Sequence, residues 1–517
     1  MFRIHYRIKP AFIRPVAGVL LGFIGAVAAS DTTDVATVAA SVAEHRAANE
    51  QAIIDDFVAL LRLPNVATDS ENIERNAEFI VSYLDRRGLN PRLLRVPGSP
   101  PAVYAERPVA GAERTIMVYV HYDGQPVDAE NWASDPWQPI MRDALVEQGG
   151  VEVPMTTPFD PTWRIFARSA GDDKAPIIAI AHALDALEAV GLEPRVNLKF
   201  FFEGEEEIGS PHLREMLAAH RDLLAADLWL FCDGPMHPTR RPQLAYGVRG
   251  AAGFDITVYG PSRPLHSGHY GNWAPNPIAM LTALLSSMRN EQGDILIEGF
   301  HDEVREPSAL ELAAIERIPA VDLALRQDLS LARTEGHGER IEAAILRPAL
   351  NFRGLSGGGV GDQSRNIIIP EATASIGIRL VPDQTVEHLR GAIERHLRAQ
   401  GYHVVDEPAS DAVRSRHPKV VWLRWSGGYP ALRTPFDHPL VSDLAELLNE
   451  WSGDQLIQLP TMGGSLPLYL INEVLGAPVV ILPIANHDNN QHGKNENLRL
   501  KNLWDAIEIY AIAFTGL

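Results

Sequence analysis

Apolar residues recur at helical spacing over 50–62, at Ile53, Phe57, Leu60 and Leu61, and over 72–87, at Ile73, Ala77, Ile80 and Leu84, with Gly88 placed to end the second helix. Short unbroken apolar runs at 116–120, 196–202, 228–231 and 479–482 read as buried strands, and 175–190 reads as a helix. Strands alternating with helices predict an α/β fold with a mostly parallel sheet. The middle of the chain has a different rhythm. Segments 254–259 and 372–380 alternate apolar and polar positions as half-buried strands do, and 275–289 and 386–400 read as helices. That order predicts a small α+β domain at 246–425, inserted into an α/β domain formed by 30–245 and 426–517.

The N-terminus follows another pattern. Arg3, Arg7, Lys9 and Arg14 precede an apolar run at 16–29, which contains the cleavage-like triplet Ala26-Val27-Ala28. This predicts a signal peptide over 1–29 and a secreted or periplasmic protein, with an N-terminal membrane anchor as the alternative. The run is shorter than the roughly 20 residues a membrane span needs, so no stable span is expected after processing. At 517 residues, with 46% hydrophobic and 22% charged, the chain is long enough for two ordinary globular domains. A formal charge of −20 without a basic face argues against a nucleic-acid partner. The single cysteine, Cys232, excludes an intrachain disulfide.

Candidate chemistry sits where the apolar runs stop. Segment 116–120 leads into His121-Tyr122-Asp123, 196–202 into the acidic run Glu203-Gly204-Glu205-Glu206-Glu207, and 228–231 into Cys232-Asp233. Segment 479–482 leads through a loop to His487 and His492. Ligand sites of open α/β sheets gather at the carboxyl ends of strands. Carboxylates and imidazoles without a set of thiolates suit zinc, and less specifically manganese or cobalt. The loop 169–174, with Asp172 and Asp173 just before the helix at 175–190, supplies a carboxylate that could bridge two such ions.

Together these motifs resemble the co-catalytic zinc exopeptidase and deacylase family that includes carnosinases, glutamate carboxypeptidase, aminoacylase and succinyl-diaminopimelate desuccinylase. The resemblance is carried by H-Y-D-G-Q-P at 121–126, R-S-A-G-D-D-K-A-P at 168–176, E-G-E-E-E-I-G-S at 203–210, C-D-G at 232–234 and H-G-K-N-E at 492–496, and it covers the chain from about residue 50 onward. It implies two zinc ions, one held by His121, Asp172 and Asp233 and the other by Asp172, Glu207 and His492. It further implies that Asp123 orients His121, that Glu206 is the general base, and that the Asp172–Asp173 peptide is cis. P-L-H-S-G at 264–268 matches a lid motif whose histidine, here His266, relatives often deliver from a partner subunit. Arg379 matches an arginine that binds substrate carboxylate, and Gly464 and Ser465 match a substrate-facing loop. The implied protein is a two-zinc metallo-exopeptidase acting on dipeptides or short peptides, homodimeric through an inserted lid/dimerisation domain. An N-acyl amino acid deacylase with the same metal core and a non-catalytic peptide-binding homologue are the alternatives.

Other readings of single residues remain open. His487 rivals His492, Asp173 could be a helix N-cap, His266 an ordinary loop histidine, and Arg379 a strand-face charge. The glycine-rich stretch 354–361 reads as a flexible lid loop, and His182, His237 and His269 as ordinary histidines. The sequence also departs from the family pattern. Ala167-Arg168-Ser169 stands where G-R-G is usual, 140–163 is long, and Thr461-Met462 replaces the R-E that some dipeptidase relatives carry before G-G-S.

Overall fold

The computed structural model describes residues 34–517; the leader expected at 1–29 lies outside them. Its main sheet has eight strands in the order Arg92–Leu94, Ala102–Arg107, Asn197–Glu203, Thr115–His121, Leu228–Phe231, Val479–Ile481, Gln243–Ala245, Ile457–Leu459. The four apolar runs form its contiguous centre, and all three pairings among them are parallel. Their registers align the carboxyl ends: His121 lies beside Glu203, and Tyr119 beside Phe231.

Both faces of the sheet are covered, which explains why these strands are apolar throughout rather than alternating. Ile116, Val118 and Val120 pack toward helices Val35–Leu61, Ala175–Ala189 and Leu500–Gly516, while Met117 and Tyr119 pack toward Leu213–Ala219 and Tyr469–Leu475. The first helix starts well before the expected residue 50. The second, Ser70–Asp85, ends as predicted: Gly88 takes a left-handed φ of 68°, and the Leu89 N–H reaches back to the Leu84 carbonyl.

A five-stranded sheet occupies the middle of the chain, in the order Ala349–Ser356, Glu371–Leu380, Gly250–Tyr259, Val420–Tyr429, His403–Val405. It is antiparallel except at its last pair. Helices Pro277–Met288 and Val386–Ala399 cover one face and share a core with Phe254, Ile376 and Ile378. The glycine-rich stretch expected to be wholly loop begins inside the edge strand, which runs to Ser356. A smaller antiparallel sheet joins Asn497–Arg499, Arg164–Phe166, Ile140–Arg142 and Glu152–Val153. Its strands are too short for periodicity to reveal, yet it clamps the 488–499 segment against the loop that carries Asp172.

Candidate metal centre

The aligned strand ends bring the predicted ligands together. His121 ends its strand fully buried, with Nε2 2.9 Å from Asp172 Oδ1, 3.9 Å from Asp233 Oδ2 and 4.0 Å from Glu206 Oε2. His492 Nε2 lies 3.2 Å from Asp172 Oδ2 and 3.2 Å from Glu207 Oε2. Asp172 therefore faces one imidazole with each carboxylate oxygen. Two groups of possible ligand atoms, His121/Asp173/Asp233 and Asp172/Glu207/His492, each fall within 4.8 Å. The Asp172–Asp173 peptide is cis.

Supporting bonds orient this cluster. Asp123, buried, receives the Glu206 N–H at Oδ1 (3.1 Å) and the Glu207 N–H at Oδ2 (3.0 Å), and its Oδ1 lies 3.3 Å from His121 Nδ1. One carboxylate thus positions a histidine and the turn carrying both glutamates. Gln125 donates to Glu207 Oε2 at 2.8 Å, and Gln491 to Asp172 Oδ2 at 3.2 Å. Glu496 is a buried clamp for the 168–172 loop: it accepts the N–H groups of Ser169, Gly171 and Asp172 and pairs with Arg168 at 2.6 Å. Glu496 lies inside a recognised motif, but only its reach across more than 320 residues reveals the role.

The acidic run is divided by what each residue touches. Glu203 accepts from the Tyr119 hydroxyl at 2.6 Å, and Glu205 bonds His212, leaving Glu206 and Glu207 to face the cluster. His487 neighbours Asp488 at 3.9 Å rather than the cluster, so His492 is the histidine brought to it. The cap reading of Asp173 is corrected. Lys174 occupies the N-cap position without a side-chain cap, and the buried Asp173 Oδ2 accepts the His121 N–H at 3.4 Å.

Electrostatics identify the kind of ligand the cluster suits. Six carboxylates (Asp123, Asp172, Asp173, Glu206, Glu207 and Asp233) surround two imidazoles. Burial, with the charge of Asp172 added, pushes Asp233 up to about 7, and burial raises Glu206 and Asp173 well above the usual carboxylate range. Burial works against ionising Asp172, yet hydrogen bonds from His121 and His492 hold its carboxyl low. His492 is pulled up to about 10 by its bonds to Asp172 and Glu207. An oxygen-and-imidazole donor set this rich in negative charge fits divalent cations.

The substrate-side residues lie apart from the ligands. Arg379 donates to Ser465 Oγ at 2.6 Å, joining the five-stranded sheet to the 461–465 loop. The Gly464 carbonyl receives the Arg249 N–H at 3.2 Å. Tyr429, which no motif singled out, stacks on Tyr469 with ring centres 5.7 Å apart; burial raises its phenol, Arg379 opposes that shift, and Glu206 adds to it. His266 is exposed, accepts the Gly268 N–H at 3.1 Å and has its ring centre 4.5 Å from that of His269. Among the described residues it makes no hydrogen bond or ion pair to the cluster.

A family model described as Peptidase family M20/M25/M40 matches residues 117–515. The Cys-Gly metallodipeptidase of Schizosaccharomyces pombe is 27% identical over 88% of this chain and 94% of its own length. The human Beta-Ala-His dipeptidase is 26% identical over 80% and 77%. Among solved structures, an M20 family metallo-carboxypeptidase from Sulfolobus solfataricus superposes with a TM-score of 0.71 at 25% identity, covering 89% of this chain and 98% of that one. These relatives also correct the expected localisation. The chain aligns over 87–88% of its length with Cys-Gly metallodipeptidases of three yeasts, a kinship that overturns the secreted or periplasmic reading. The leader and the anchor both rest on residues outside the described ones, and no described helix is long and apolar enough to cross a membrane.

Proposed function

The chain belongs to peptidase family M20/M25/M40 and is a metallopeptidase, and from that premise we propose that it is a dipeptidase with a two-metal centre, zinc being the first choice of ion. The observation that carries this reading is the position of Asp172 between His121 and His492, with Glu206 Oε2 4.0 Å from His121 and outside both ligand groups. His121, Asp172 and Asp233 would hold one ion, and Asp172, Glu207 and His492 the other. Asp173 also falls within reach of His121 and Asp233, but its Oδ2 accepts the His121 N–H, whereas Asp172 faces both imidazoles and so would be the shared ligand. When bound, two divalent cations there lower the pKa of water and polarise a carbonyl.

The chain's own residues supply the rest. Glu206, held by Asp123 through its backbone and shielded from solvent, takes the proton of the attacking water and returns it to the leaving amine. Arg379 and Ser465 hold the substrate's carboxylate. The 246–425 unit serves as the lid and dimerisation domain, and a partner's lid delivers His266 to the oxyanion. That unit exposes Trp273, Leu355 and Val360, a surface suited to a second copy. The dipeptidase reading also draws on the relatives, whose names describe dipeptidases.

The test is turnover of a dipeptide panel beside N-acyl amino acids, with metal content measured on the same preparation. Chelation should abolish dipeptide hydrolysis, and restoring about two ions per chain should recover it. Full activity of rigorously metal-free protein would overturn the centre, and turnover confined to N-acyl amino acids would overturn the dipeptidase assignment.

A further inference from the structure

The face of the five-stranded sheet opposite its helices forms the floor of a cavity of about 730 Å3, roofed by residues 290–347. Three arginines meet on that floor: Arg249, Arg353 and Arg379. None forms an ion pair among the described residues. The acids lining the cavity are occupied elsewhere. Glu335 pairs with Arg289 at 2.5 Å, Glu339 pairs with Arg347, Asp322 accepts the Ile341 N–H at 2.9 Å, and Asp294 bonds Asn290 and His337. Asp255, whose charge Arg353 feels, is bonded to Arg424 and Ser375. In a chain of net charge −20, three uncompensated guanidinium groups at one place call for an anion.

The floor is built to seat them. Gly253 and Gly377 are register partners on adjacent strands. A Cβ on Gly253 would fall 3.0 Å from an Arg353 guanidinium nitrogen, and one on Gly377 would fall 3.0 Å from its Cδ. The glycine pair therefore lets the Arg353 side chain lie across the sheet. Arg379 follows Gly377 by two residues on the same face, and Ala251, its partner across the strands, leaves the space above it open. Arg249 lies by Arg379, bonds the Gly463 carbonyl at 3.2 Å, and is pushed down to about 10 by burial and by Arg379. Arg379 and Arg249 thus join the cavity they line to the 463–465 loop, through Ser465 Oγ and the Gly463 carbonyl.

We propose that this cavity is a specificity subsite for a dicarboxylic residue on the leaving side of the substrate, with Arg379 and Ser465 taking its α-carboxylate and Arg353 and Arg249 its side-chain carboxylate. The inference rests on the dipeptidase reading for the side of the scissile bond, and on the unpaired arginines for the charge. A residue with two carboxylates satisfies all three cations; a neutral residue leaves two of them uncompensated.

The experiment compares Ala-Glu with Ala-Gln, which differ only in the side-chain charge, using the metal-loaded full chain. Wild type should show kcat/KM at least about tenfold higher for Ala-Glu, and Arg353→Gln should bring that ratio toward one. Equal kcat/KM for the two peptides in wild type would overturn the subsite and leave the dipeptidase reading intact. Hydrolysis of neither peptide would count against the dipeptidase reading. The subsite would then be decided by calorimetry on the same protein: tighter binding of free glutamate than of glutamine sustains it, and equal binding removes it. The same calorimetry on wild type decides the matter if Arg353→Gln does not fold.

Discussion

Replacing Asp123 by asparagine keeps the size of a buried side chain and removes its charge, which makes it the sharpest probe of how the centre is assembled. Asp123 Oδ1 faces the Glu206 N–H and His121 Nδ1, and Oδ2 faces the Glu207 N–H. An amide has one acceptor oxygen. Whichever way the substituted amide turns, its NH2 group points at a backbone N–H, and in one of the two orientations also at His121. A buried donor left without an acceptor costs about 1–3 kcal/mol, or roughly 5- to 150-fold in an equilibrium or a rate. Part of this should fall on His121, with about a 10–100-fold loss of metal affinity, the usual scale for removing a partner of a ligating histidine. The remainder should fall on the turn carrying Glu206. Two measurements separate them: metal affinity by competition with a fluorescent chelator, and kcat at saturating metal. Asp123→Asn should be weaker in the first and still slow in the second. Wild-type metal affinity together with wild-type kcat would refute the idea that one carboxylate positions both ligand and base.

Three further outcomes follow from the same geometry. Glu206→Gln should lower kcat by at least about 100-fold while metal content stays near wild type, and retained turnover or lost metal would reverse the assignment of Glu206 and Glu207. His266→Ala should keep its metals but lose most of kcat, and mixing it with Glu206→Gln should restore part of the activity if the histidine acts across subunits; clear heterodimers without recovery would rule that out. Asp488 is held well below the usual carboxylate range: burial opposes this, but bonds from Arg164 and Asn486 and the charge of Arg499 outweigh it. A depressed folded pKa adds stability that is full above the unfolded value, near 3.9, and is lost as pH falls below it. Asp488→Asn should therefore lower Tm at neutral pH and shrink the loss of stability on acidification below about pH 4; an unchanged acid limb would show that this carboxylate is not a source of the dependence.

The sequence by itself determined the centre of the main sheet and the ligand types at its edge. An unbroken apolar run is a local signal, and so is a histidine or carboxylate at its end, so 116–120, 196–202, 228–231 and 479–482 could be read as strands without knowing their neighbours. The same holds for two of the middle unit's helices and two of its strands, whose periodicity is long enough to see. Tertiary structure decided whatever depends on register or on reach between distant segments. It chose His492 over His487, turned Glu203 and Glu205 away from the site, and set Asp173 against His121 rather than at a helix cap. It made Glu496 the clamp of the Asp172 loop, because a carboxylate's partners are fixed by which backbone N–H groups the fold leaves free beside it. It also paired Gly253 with Gly377, more than a hundred residues apart, and so laid Arg353 beside Arg379. Composition records only a net negative chain; cross-strand register gathers three of its arginines around one unfilled space.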